Sequence, residues 1–134
     1  MIYFSRAVSR ASKEKYEQAR DMLSKIFRLF KGGSSSNEIP PTVHMLTALV
    51  ELRLKHYEIS ISFARSAIQQ INEEKFGISD AERVYMRCYC TIILRKASFD
   101  GNIILPESYL TEVEVHSGVD ESVVRQDIRK WFPI

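Results

Sequence analysis

Glu14-Lys-Tyr-Glu-Gln-Ala-Arg-Asp-Met-Leu-Ser-Lys-Ile-Phe27 returns in altered form as Lys55-His-Tyr-Glu-Ile-Ser-Ile-Ser-Phe-Ala-Arg-Ser-Ala-Ile68. Each stretch has an aromatic-acid pair, a small residue three positions after the aromatic, and then apolar residues at helical spacing. The likeness extends outward at an offset of 41–42 residues. Small residues recur at Ala7, Ala48 and Cys90, and aromatics at Tyr16, Tyr57 and Phe99. An acid follows each aromatic, at Glu17, Glu58 and Asp100. Leu52-Arg53 aligns with Leu94-Arg95, and Ala11-Ser12 takes that place in the first unit. Ala19 matches Ser60, and Ile26 matches Ala67. A small residue lets a partner helix approach closely, and an aromatic opening the second helix plugs the corner of the turn. The pattern predicts an all-α fold of stacked antiparallel helical hairpins.

The punctuation agrees. Lys31-Gly-Gly-Ser-Ser-Ser-Asn-Glu-Ile-Pro-Pro41, Phe76-Gly-Ile-Ser-Asp80, Phe99-Asp-Gly-Asn102 and Ser117-Gly118 read as breaks. Helices are expected over about 2–13, 15–31, 43–55, 57–74 and 80–97, with Thr42 as N-cap of the third. The fifth opens at Ser79 or Asp80 with Glu82 in its first turn. A final helix is expected over about 120–132, capped by Asp120. Tyr109-Leu-Thr-Glu-Val-Glu-Val115 carries both a helical stripe and a strand-like alternation.

Composition sets outer limits. A chain of 134 residues, 45% hydrophobic and 27% charged, is one globular domain. Such a domain buries about two-thirds of its unfolded surface, so it needs no metal or disulfide to hold a core. Five glycines and four prolines argue against a turn-rich all-β chain. A net charge of +2 without a basic run argues against a dedicated nucleic-acid binder. Cys88 and Cys90 would point ~200° apart on a helix, cannot bridge each other, and suit a reducing compartment. The N-terminus lacks the charged start and apolar run of a signal peptide, and no apolar stretch is long enough to span a bilayer. The expected location is the cytoplasm, with the nucleus as a second possibility.

The two quoted stretches resemble the turn and second helix of a tetratricopeptide repeat (TPR), and Tyr3 and Ala7 suit its first helix. The units here, about 2–41, 42–79 and 80–116, are longer than the family's ~34 residues. They also lack the family's closing proline, and Pro106 interrupts the third. The resemblance covers residues 2–100 and implies about two and a half repeats closed by the C-terminal helix. It implies a non-enzymatic interaction module, a scaffold or adaptor, whose groove is lined by the first helices of the units. Carried over position by position, the lining is Phe4, Val8, Met45, Leu49, Arg53, Arg87, Thr91 and Arg95. Such a groove suits a protein or peptide partner with acids and apolar anchors. Repeats that clamp the C-terminal carboxylate of heat-shock chaperones use Lys and Asn at set positions. Here those positions hold Phe4, Val8, Leu46, Glu82 and Met86, which speaks against that use.

Catalytic and metal chemistry find little support. His44, His56 and His116 show no ligand spacing with Cys88 or Cys90. His56 is expected to cap a turn, and His44 and His116 to lie on the surface. The two cysteines read as small buried hydrophobes, and Gly32 to Ser36 reads as a solvated loop because no Lys-Ser/Thr follows it. No cofactor is implied. The second candidate surface is the apolar stripe Val123, Val124, Ile128, Trp131 and Phe132, read as a capping helix or as a dimer or partner contact. The alternative function is a structural subunit of a larger complex or homo-oligomer, joined through its apolar terminal helices. A small helical enzyme or nucleic-acid binder comes third.

Overall fold

The computed structural model describes residues 2–13, 15–31, 39–73 and 77–105. These form five helices: α1 (Ile2–Ser12), α2 (Tyr16–Lys31), α3 (Pro41–Arg53), α4 (Tyr57–Asn72) and α5 (Asp80–Gly101). No strand occurs among the described residues. The expected elements over 107–116 and 120–132 lie outside the described residues, with Val124, Ile128, Trp131 and Phe132 among them.

Helix ends show how the sequence sets the boundaries. α3 begins on Pro41, so Thr42 is not its N-cap. Proline suits a first helical position because its φ is preset and an N–H there would have no intrahelical partner. α5 opens on an N-cap serine: Ser79 Oγ accepts from the Glu82 amide at 3.2 Å and donates to Glu82 Oε1 at 2.8 Å. α3 and α5 both close in Schellman turns. At the first, Lys55 takes a φ of 65°, with Lys55 N–H donating to Leu52 O and His56 N–H to Glu51 O. At the second, Asn102 takes a φ of 53°, with Asn102 N–H donating to Phe99 O and Ile103 N–H to Ser98 O.

The second turn corrects the sequence reading. α5 runs to Gly101, not to Ala97, so Phe99 and Asp100 are helical. Asp100 pairs with Lys96 one turn earlier at 3.3 Å, which supports that last turn. Tyr16 and Tyr57 do open α2 and α4. Phe99 has no corner to plug and is 84% exposed.

Each helix packs on the next, and α3 also touches α1 and α5 directly. α3 therefore contacts all four other helices. Apart from Thr42, it is buried from Pro41 to Leu52. The close approaches rest on small side chains. Ala7, Ala11, Ala19, Ala48, Ser60, Ala64, Ala67, Cys90 and Ala97 are all fully buried. Ser60 Oγ donates to the Ala48 carbonyl at 2.7 Å, which fixes α4 against α3 and satisfies a buried hydroxyl. At the same N-terminal end of α4, Gly101 lies so near Tyr57 that a β-carbon there would sit 2.7 Å from Tyr57 Cβ.

Candidate partner-binding surface

The eight expected lining residues divide sharply. Phe4 falls in α1, and its side chain is outside the described part of the structure. Val8 is half-buried against the core. Met45 and Leu49 are buried, Leu49 at 0% exposure, so neither offers surface to a partner. Thr91 is also buried, its hydroxyl donating to the Arg87 carbonyl at 2.8 Å. The cause is the central place of α3. With neighbours on every side, it has no bare apolar flank.

What reaches the surface from these positions is chiefly arginine. The Arg53 guanidinium stands 5.7 Å above the Tyr16 ring, a cation–π contact between the end of α3 and the start of α2. Arg87 Nε donates to Asn72 Oδ1 at 2.8 Å. Arg95 is exposed and has no ion pair among the described residues. The Tyr57–Gly101 contact places the C-terminal end of α5 beside the start of α4, next to the end of α3. Arg53 and Arg95 therefore share one end of the array. Arg87 reaches toward the other end, where α4 finishes at Asn72.

Two buried polar groups escaped the sequence reading. Glu51 is 3% exposed and sits between helices. Its Oε1 accepts from Arg20 Nε on α2 at 2.7 Å, and its Oε2 meets His56 Nδ1 in the α3–α4 turn at 2.6 Å. The signal was available, since Glu51 is the sole charged residue between Pro41 and Leu52. The second group is His44, expected on the surface and found 9% exposed. Its ring packs against Phe27 at 5.4 Å and Phe63 at 6.0 Å between centroids. Neither ring nitrogen has a hydrogen-bond partner among the described residues. Burial pushes its pKa down to about 4, because the charged ring would lose its hydration.

Other chemistry is sparse. Cys88 and Cys90 are buried free thiols, and burial pushes the Cys90 pKa up, away from thiolate. No cluster of three or more His, Cys, Asp or Glu placed to hold a metal occurs among the described residues. A shallow hollow of about 200 Å³ runs along α4 past Glu58, Ser62, Arg65 and Gln69. Among the described residues, no helix is long and apolar enough to cross a membrane. Comparison with protein-family models, curated proteins and solved structures finds no match to this chain.

Proposed function

We propose that the chain is a non-enzymatic, TPR-like interaction module that holds an acidic partner segment across α1, α3 and α5. The observation that carries this reading is the direct contact of α3 with both α1 and α5, which sets alternate helices side by side as in stacked hairpins. Two facts support it. The recurring small positions Ala7, Ala48 and Cys90 are each fully buried. The equivalent residues Arg53 and Arg95 are both exposed at one end of the array.

The partner chemistry follows from the side chains that reach water. Burial of Met45, Leu49 and Thr91 removes most of the apolar anchoring that the sequence offered. The contact is then mainly electrostatic, with guanidinium groups taking carboxylates through paired hydrogen bonds. Affinity capture from source-cell lysate, comparing wild type with Arg53→Glu/Arg95→Glu, tests it. The expected result is an acidic protein captured by wild type and lost in the variant, with the helical circular dichroism unchanged. Equal capture by both forms would overturn the arginine surface.

A further inference from the structure

Arg95-Lys-Ala-Ser-Phe99 is unlike every other serine or threonine context in the chain. Ser98 is the one hydroxyl residue with cations both three and two positions before it, and a bulky aromatic follows it. The fold leaves the residues of this pattern accessible. Arg95, Lys96 and Phe99 are exposed, and Ser98 is half-buried. Arg95 forms no ion pair among the described residues, and Lys96 meets Asp100 one turn on. Two cations before a hydroxyl and an aromatic after it suit a protein kinase of matching charge pattern, its substrate cleft bearing carboxylates and an apolar socket.

Such a cleft takes its substrate extended, so residues 95–100 must leave the helix. Their place in α5 makes that a local event. Within this stretch Ala97 alone is fully buried, whereas Ile93 and Leu94 just before it are locked in the core. The helix stops just beyond, at Asn102. Opening the end of α5 therefore gives up little apolar burial and halts at Leu94.

We propose that Ser98 is a phosphorylation site for a protein kinase that selects basic residues upstream of its target. Ser98 Oγ attacks the γ-phosphorus of ATP, and the new O–P bond forms as the bond to the ADP oxygen breaks. The hydroxyl proton passes to the kinase's catalytic carboxylate. The product cannot close the helix as the serine does. In the unmodified chain Ser98 Oγ donates to the Ile103 carbonyl, and Ile103 N–H donates to the Ser98 carbonyl at 2.9 Å. A phosphate dianion has no proton to give that carbonyl, and its charge is disfavoured at a helix C-terminus close to Asp100. The closing turn at Ile103 loosens. The phosphate also stands three residues after Arg95, within reach of its guanidinium. The regulatory consequence rests on the function proposed above: with Arg95 neutralised, a carboxylate-bearing partner is released.

The modification is tested without any partner, so its result stands apart from lysate capture. The purified full chain is incubated with ATP and the catalytic subunit of cyclic-AMP-dependent protein kinase, and the modified residue is located by mass spectrometry. Ser98 is expected to carry the phosphate under native conditions. Ser98→Ala should remove it, and Arg95→Gln should slow it about tenfold. Arg95→Gln alters an exposed side chain, so its slower reaction is not a loss of fold. The Ile103 amide should exchange faster in the phosphorylated chain, while amides of α3 keep their protection. No phosphate at Ser98 in the folded chain, phosphate there only after unfolding in urea, or an Ile103 amide indifferent to the phosphate would each overturn the proposal.

Discussion

The Glu51 carboxylate on α3 accepts a hydrogen bond from Arg20 Nε on α2 at 2.7 Å, tying two consecutive hairpins together at a buried point. Removing the cation leaves a buried carboxylate with only His56 to answer it. Arg20 is partly exposed, so solvent screening limits the loss. Arg20→Ala should cost about 1–2 kcal/mol in urea unfolding. A double-mutant cycle with Glu51→Gln should show strong non-additivity. Simple addition of the two effects would mean that the pair does not act as a unit.

Gly101 carries a steric demand. An alanine there would place its β-carbon 2.7 Å from Tyr57 Cβ and 2.8 Å from Tyr57 Cγ. Those atoms sit at the base of the tyrosine, next to its backbone, and cannot swing away. Gly101→Ala should therefore destabilise the protein by about 1–3 kcal/mol, more than alanine's helix propensity returns. A thermal melt no lower than wild type would show that the α4–α5 corner has slack.

Lys55 is a non-glycine residue at a left-handed helix terminus, with φ at 65°. That conformation crowds its Cβ, and glycine escapes the clash. Lys55→Gly should stabilise the chain by about 1 kcal/mol, read as a raised urea midpoint. The same change at Asn102, φ 53°, should yield less, because asparagine tolerates this region.

His44 gives the protein a pH dependence of definite sign. Its pKa falls from 6.5 in the unfolded chain to about 4 in the fold. Between those values the unfolded state binds more protons, so stability rises with pH. The contribution is fully present above pH 6.5 and is lost as pH falls toward 4. The total is about 3 kcal/mol from the size of the shift. Urea titrations at pH 7.5 and 5 should show this loss in wild type and a clearly smaller one in His44→Leu. Parallel loss in both would place the acid sensitivity elsewhere.

The break between α2 and α3 was legible because the stretch from Gly32 to Pro40 is rich in glycine, serine and proline. Ser79 and Glu82 announced the start of α5 by their spacing alone. Its end was misread because Phe99-Asp-Gly-Asn has the composition of a turn. The stop falls at Asn102, which can take the left-handed conformation, and the Lys96–Asp100 pair carries the helix that far. His44 was misplaced because residue type says polar, while Phe27 and Phe63 close over it from neighbouring helices. Position in the repeat assigns Met45 and Leu49 to the groove lining, whereas both are buried. The warning was in α3 itself. Val43, Met45, Leu46, Leu49 and Val50 leave it no continuous polar face, the mark of a helix enclosed on all sides. What decided the exposed surface was tertiary crowding, which a one-dimensional repeat does not encode.

The enclosure of α3 also governs how the protein comes apart. In a long solenoid each unit leans only on its neighbours, and the ends can fray while the middle persists. Here, among the described residues, a single rib touches every other helix, so loss of α1–α2 or of α5 strips cover from it. The five described helices should therefore melt together, and equilibrium unfolding should follow one sigmoid for all probes. Severing the chain between Arg53 and Tyr57 would yield no independently folded half.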